Sequence, residues 1–428
     1  MTKNKIIDII NQLEHKDIEA LKNIYMYRCL NEDQLFKLIY NDNNTNKLYV
    51  RDKIQKMLNL NLIESVFYGA ELPVYFLTST GIDVVRTFYD LPYNIFDIEK
   101  KIIKRGYYRA SELKINPKFI NHQMQLNNFV INFSEKLNNR LVWKYYDEKY
   151  MSQYVNIRPD GLIQILDVDL FLEIDMATES KNQLYEKWEN YRNFLMSSEY
   201  AYKERKIIVL FILNNSEKIQ ERKDLIRYTI TERILDLIDD NFEIYIGTQE
   251  EILNVIFKKI IPHSIGKDII LNEIKNILEV NHFFNVDDGS IIKNFLIDTN
   301  YSFYIRKIDR RNYLIVENNK IQEYLLDEYY FSPVSVLKKI AYLDRNNSIF
   351  KSKLGRELSY IVVAKNEEEL FHDLKIADLI GTKNVYFTTI NRLKNMNFYE
   401  AIFQFDYLGN IYHFIDGGLQ NRVFERKI

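Results

Sequence analysis

Residues 158–180 read RPDGLIQILDVDLFLEIDMATES, and this stretch limits the fold more than any other. Two runs of Leu, Ile and Phe have the character of buried strands, yet Asp160, Glu173 and Asp175 stand between and inside them. A buried charge is costly unless it is paired or bound to a metal, so these carboxylates either lie at an exposed edge or form a site. Strand alternation puts Glu173 and Asp175 on one face and Leu172 and Ile174 on the other. Asp160 opens the preceding strand, and a tight turn near residues 167–169 would bring the two strands together. The carboxylates are therefore expected to converge at one sheet edge. An oxygen-only set of this kind suits Mg²⁺ or Mn²⁺, which makes Asp160, Glu173 and Asp175 the candidate metal ligands; without the ion, like charges so close would repel.

The whole chain narrows the class. At 428 residues there is room for about two to four domains, and 46% hydrophobic with 28% charged residues is an ordinary soluble composition. A formal net charge of −2 means that any nucleic-acid surface has to be a local patch. Cys29 is the only cysteine, which excludes an internal disulfide and a Cys-based zinc cluster. No apolar run approaches the roughly 20 residues needed to span a bilayer, and the N-terminus MTKNKIIDIINQLEHKD is too polar for a signal peptide. A cytoplasmic protein without a membrane span is expected. The absence of a Gly-rich phosphate loop argues against ATP-driven activity.

Residues 1–90 carry helical patterns in DIEALKNIYMYRCL, in NEDQLFKLIY with Asn31 as its N-cap, and in KLYVRDKIQKMLNLNLIE. Two short β runs around a Gly/Pro turn, VFYGAELPVYFLTSTG, follow, and then a further helix. This order predicts a winged helix-turn-helix. On its third helix Val50, Ile54 and Leu58 face inward, leaving Lys47, Arg51, Lys53 and Lys56 for phosphates and Gln55 for base edges. The alternative is a protein-docking module with a solvated basic face. Residues 91–118 read as a basic linker, with Lys100, Lys101, Lys104, Arg105, Arg109 and Lys114 around Tyr107 and Tyr108, a composition that can track a single strand.

Residues 119–262 alternate helix, antiparallel strands, helix, strand, helix and strand, the build of PD-(D/E)xK restriction-endonuclease-like domains. Cleavage of a phosphodiester in such a site needs a cation to orient water and offset charge. The usual position, two residues after the Glu, holds Asp175 here. Ser180 and Gln183 form a capping box for the next helix, and Leu184, Trp188, Tyr191 and Leu195 make its buried stripe. Lys187 borders that stripe and can reach back to the carboxylates. The alternative is that Lys187 snorkels to water and the acids form surface pairs. Residues 263–428 form a C-terminal α/β domain of unknown role, whose LSYIVVAKNEEELFHDL…VYFTT echoes KIIVLFILNNSEKIQERKDL…FEIYIGT, as a degenerate repeat of the nuclease-like lobe would. Glu317, Asp327 and Glu328 occur there without the Pro-Asp-Gly opening, and no catalysis is assigned to this domain.

The runs NEDQLFKLIY, VRDKIQKMLNLNLIE, YFLTSTG, HQMQLNN, RPDG and FLEIDMATES, with Lys187 and Tyr191, appear in one order over residues 17–250. In this set the chain resembles the replication-relaxation family of plasmid and integrative-element proteins, and more distantly the MobC class of conjugative relaxases. The resemblance implies a winged helix joined to a PD-(D/E)xK-like domain. It puts Asp160, Glu173, Asp175, Thr178, Glu179, Lys187 and Tyr191 at the family's site positions, with His122 and Asn127 in the helix motif before them. It also implies a DNA-processing protein of a plasmid or integrative conjugative element, with duplex DNA at an origin-type site as partner. Single strands, relaxosome or replication proteins and a second copy of the chain are further expected partners. Six scattered histidines argue against a relaxase of the histidine-metal type. Two readings stay open: a Mg²⁺- or Mn²⁺-dependent nicking or relaxing enzyme, and a non-catalytic protein that binds and organises or represses the origin. A structural adaptor is a third.

Overall fold

The computed structural model describes residues 3–40, 47–67, 73–97, 102–151, 153–202, 204–214, 218–291, 300–308, 316–317, 320–355, 357–415, 419 and 422–428. They form a mixed α/β protein with several sheets, and the chain divides into two units, Met1–Tyr150 and Met151–Ile428.

In the first unit, α1 (Lys3–Ile10) and α2 (His15–Tyr27) lead to β1 (Leu30–Asn31), α3 (Glu32–Leu35) and a π turn at Phe36–Tyr40. α4 (Lys47–Asn59), β2 (Ile63–Val66), β3 (Val74–Leu77) and α5 (Ser79–Phe88) follow. Among the described residues the strands order β1–β3–β2, all antiparallel, with Leu30 opposite Tyr75 and Ile63 opposite Leu77. Local chemistry places these elements. Asn31 accepts the Gln34 N–H at 2.8 Å while the Gln34 side chain accepts the Asn31 N–H at 3.2 Å, the expected cap of α3. Gly81 is required because a Cβ there would stand 2.1 Å from the carbonyl oxygen of Leu62, the residue before β2, so α5 passes this backbone only with a bare Cα.

The segment expected as a linker contains a hairpin, β4 (Asn94–Asp97) with β5 (Ile102–Arg105), and α6 (Ala110–Leu113). Lys100 and Lys101 lie outside the described residues. α7 (Ile120–Leu137), expected to open the central domain, lies in the first unit. There the fully buried Asn127 donates to the Cys29 carbonyl at 2.7 Å and the Tyr27 carbonyl at 3.3 Å, closing the end of α2 where Arg28 turns to φ 67°. β6 (Trp143–Asp147) and α8 (Glu148–Met151) follow.

In the second unit, β7 (Gly161–Ile165) turns through residues 166–167 into β8 (Val168–Asp175). α9 (Lys181–Leu195), α10 (Ser198–Ala201), β9 (Lys206–Leu213), α11 (Ile219–Arg233), β10 (Phe242–Thr248), α12 (Gln249–Val255) and α13 (Ile261–Ser264) come next. Within this unit the first sheet runs β10–β9–β8–β7, with β7–β8 antiparallel and β8–β9 and β9–β10 parallel. Every residue of β8 is buried, which accounts for its continuous apolar run and puts its carboxylates inside the protein instead of at an open edge.

The rest of the unit comprises α14 (Ile269–His282), β11 (Phe284–Asp288), β12 (Phe303–Lys307), β13 (Val316–Glu317), β14 (Lys320–Ile321), β15 (Glu323–Tyr329), α15 (Val334–Leu354) and β16 (Ser359–Ala364). α16 (Glu367–Ile376), β17 (Val385–Thr389), α17 (Ile390–Asn395), α18 (Phe398–Ala401), β18 (Phe403–Phe405), β19 (Asn410–Phe414) and β20 (Arg422–Lys427) complete it. Among the described residues the second sheet orders β11–β12–β15–β16–β17–β18–β19–β20, parallel only at β15–β16–β17. Its core joins Ile305, Leu326, Ile361 and Val363 to Leu278 of α14 and Leu393 of α17. No helix among the described residues is long and apolar enough to cross a membrane.

Candidate functional site

Glu173 lies on β8 opposite Phe211 of β9 and is 4% exposed. α9 crosses above it with the rotation its sequence dictates. Ser180 and Gln183 cap each other as expected, and Leu184, Trp188, Tyr191 and Leu195 are all buried. Lys187 and Tyr191, one turn apart, then both reach the same carboxylate. Lys187 Nζ donates to Glu173 Oε2 at 3.1 Å and the Tyr191 hydroxyl donates to Oε1 at 2.6 Å. The same ammonium stands 3.1 Å from Glu179 Oε1 and 5.1 Å from the centre of the Phe211 ring. Burial raises the pKa of the Glu173 carboxyl; Lys187 opposes that and Asp160 reinforces it. Burial works to lower the Lys187 pKa, but Glu173, Glu179 and Asp160 together hold it above its ordinary value. Burial and the Glu173 charge push the Tyr191 hydroxyl well up, which keeps it protonated and a donor.

Asp175, two residues on, is held by a different helix. Arg222 of α11 binds it through Nε to Oδ2 and Nη2 to Oδ1, each at 2.7 Å, and gives a third bond from Nη1 to the Glu179 carbonyl at 2.7 Å. Asp160 ties the start of β7 to β8: its N–H donates to the Leu172 carbonyl at 2.9 Å and its Oδ2 accepts the Ile174 N–H at 2.7 Å. The oxygens therefore test the fit of a divalent cation. Both oxygens of Glu173, both of Asp175 and Oδ2 of Asp160 already accept hydrogen bonds. Glu179 Oε2 is buried, accepts none and lies 4.0 Å from Arg222 Nη2. Among the described residues no group of three or more His, Cys, Asp or Glu side chains is placed to hold a metal ion. Asp160, Glu173 and Asp175 each hold partners within the protein: the Ile174 N–H, Lys187 with Tyr191, and Arg222. Lys187 and Arg222 offset the repulsion between the acids in this structure.

In the first unit the side chains of α4 divide. Lys47 pairs with Asp33 at 2.5 Å and Arg51 with Glu32 at 2.9 Å, both cations more than half exposed, and exposed Gln55 donates to Asn59 at 2.9 Å. Lys53, expected on the outside, is 7% exposed: its Nζ stands 2.5 Å from Glu14 Oε1 and 3.6 Å from Asp17 Oδ1. Lys56 stands 2.9 Å from Asp17 Oδ2. These two lysines neutralise a fully buried aspartate of α2, because a helix that turns Val50 inward turns the position three residues later toward the same side.

On the hairpin segment Lys104 is exposed and Arg105 is held by Glu112 at 2.8 Å. The rings expected to stack on bases already face cations: Arg86 and Arg105 over Tyr107 at 5.2 and 5.7 Å, and Lys149 over Tyr108 at 5.2 Å. Thr178 is exposed, and His122 is half-buried on α7. Sequence reasoning missed Arg222, and also Arg205, whose Nε lies 2.5 Å from Asp169 Oδ1. Arg222 follows Asp175 by 47 positions, a distance no local spacing bridges. The only warning in the sequence is that buried acids must find cations somewhere.

No curated protein and no solved structure matches the chain. Residues 21–210, which include α4, Asp160 and the Glu173–Lys187–Tyr191 cluster, match the family model described as replication-relaxation, and this stretch of the chain is accordingly similar to that family.

Proposed function

We propose that the chain binds duplex DNA in the replication or processing of a mobile element, and that its second unit carries a nuclease-like lobe whose acids are closed by the protein's own cations. The observation that carries this reading is the replication-relaxation match over residues 21–210, which spans both α4 and the β8 cluster. The order of helices and hairpin in the first unit supports a winged helix with α4 as the groove-facing element. Lys47 sits on that helix in a solvent-facing ion pair, which adds little to stability, and the exposed guanidinium of Arg51 stands at the protein surface over the buried Glu32, so both cations face the solvent from which phosphates would approach. Gln55, exposed one turn beyond Arg51, is the side chain for base edges. One antiparallel and two parallel pairings, with α9 and α11 between the strands, support a PD-(D/E)xK-like lobe. With Glu173 and Asp175 saturated by Lys187, Tyr191 and Arg222, binding is the activity this geometry favours over metal-dependent cleavage.

Gel-shift titrations of an origin-type duplex at several salt concentrations test the reading. The Lys47→Ala, Arg51→Ala double variant is expected to bind more weakly across sequences, with a salt slope smaller by about two. Plasmid DNA is expected to stay supercoiled with Mg²⁺ or Mn²⁺. Unchanged affinity in the double variant would remove α4 as the DNA face. Divalent-dependent nicking by the wild type, lost in Glu173→Gln, would put a metal-dependent endonuclease or relaxase in place of the binding protein.

A further inference from the structure

We infer that the second unit contains two copies of one lobe, with corresponding acid–lysine pairs, and that their pairing inside one chain takes the place of a second subunit. The first copy runs β7, β8, α9, β9, α11, β10, α12 and the second runs β12, β15, α15, β16, α16, β17, α17. In each, the first strand pair is antiparallel and the next two are parallel. In each, the last parallel strand ends on a threonine that caps the following helix, Thr248 accepting the Glu251 N–H and Thr389 the Arg392 N–H.

Any chain of alternating strands and helices shares topology of this sort; the side chains carry the argument further. Glu173 stands two residues before the end of β8, and Asp327 stands two residues before the end of β15. Each takes a lysine from the helix that follows, Lys187 Nζ at 3.1 Å and Lys339 Nζ at 2.9 Å. Each also accepts a tyrosine hydroxyl, though from different elements, Tyr191 of α9 at 2.6 Å and Tyr360 of β16 at 2.8 Å, so the correspondence lies in the acid and the lysine. The second centre is sealed. Asp327 is 3% and Lys339 8% exposed, and Ser302 fills the other carboxylate oxygen with its N–H at 2.8 Å and its hydroxyl at 2.7 Å. The first keeps an opening, since the Lys187 side chain is 22% and that of Glu179 30% exposed.

The copies meet through corresponding helices, α11 and α16. Arg227 pairs with Asp373, which also accepts the Tyr329 hydroxyl at 2.8 Å, and His372 Nε2 lies 2.9 Å from Asp224 Oδ1. Like elements facing each other are the mark of an isologous two-fold contact between subunits. Here the contact lies within one chain, and Arg227 and Asp373 are both buried in it. The α11 face is filled from within, so the chain works as a monomer with one reachable acid–lysine centre. This holds whether or not the first unit binds DNA.

Light scattering of the full chain at micromolar concentration is expected to give the monomer mass of 51.6 kDa; a dimer mass overturns the inference. Hydrogen exchange tests the pairing. Arg227→Ala is expected to lower protection in α11 and α16 together, by about tenfold or more, and the charge swap Arg227→Asp with Asp373→Arg to restore part of it. If Arg227→Ala does not fold, His372→Ala at the more exposed pair is expected to loosen the same two helices to a smaller degree. Loss of protection confined to one helix in these variants overturns the pairing.

Discussion

Arg222 grips Asp175 with one edge of its guanidinium, Nε to Oδ2 and Nη2 to Oδ1, each at 2.7 Å, at a point where Asp175 is only 2% exposed. Removing one partner of such a pair leaves the other charged in a place that water does not reach. Arg222→Met is therefore expected to lower stability by about 3–5 kcal/mol, the range for breaking a buried pair. Urea denaturation followed by circular dichroism measures it. A loss under about 1 kcal/mol would mean that Asp175 has other compensation.

The same saturation sets the response to metals. Mg²⁺ or Mn²⁺ at millimolar concentration is expected to leave the melting temperature of the wild type where it was. A cation bound at a hundredfold its dissociation constant would add about 2.7 kcal/mol, which calorimetry detects easily. An upward shift that disappears in Glu173→Gln would refute the closed reading of the cluster.

The lysines of α4 are expected to separate by role. Lys53→Met with Lys56→Met strips the fully buried Asp17 of its cations and is expected to cost about 3 kcal/mol or more in thermal or urea unfolding of the first unit. Lys47→Ala, at an exposed pair, is expected to leave the melting curve nearly unchanged, and Arg51→Ala, whose partner Glu32 is buried, to lower it by less than the loss of both Asp17 cations, while together they weaken DNA binding. Equal destabilisation by the two double variants would erase this division.

His282 gives the second unit a pH dependence. It is 6% exposed, with Nε2 2.7 Å from the Leu393 carbonyl oxygen. Burial lowers its pKa; the Leu393 carbonyl opposes that and Lys307 adds to the lowering. A depressed folded value contributes stability that is present above the unfolded value of 6.5 and is lost as the pH falls through the folded value. Melting temperature is expected to decline as the pH drops below about 6.5, and His282→Gln to flatten that part of the profile. A variant that declines as steeply as the wild type would assign the pH dependence to other groups.

Short-range features are legible in the order of residues alone. The Asn31 cap, the Ser180–Gln183 box, the stripe of Leu184, Trp188 and Tyr191, and the mixed α/β class all follow from spacing, because a helix turns separation along the chain into an angle around its axis. The same spacing puts Lys187 beside the β8 acids, and its 3.1 Å bond to Glu173 rests on that local geometry. The partners of the remaining acids are not legible in this way. Asp175 finds Arg222 only because β8 and β9 lie parallel and α11 then crosses over them, and Asp17 draws Lys53 and Lys56 inward from across the α2–α4 packing. The basic hairpin segment likewise meets Arg86 only once the first unit is folded. Local period and capping chemistry act within a few residues of sequence, whereas the cations that Asp175 and Asp17 receive depend on which segments the tertiary fold brings together.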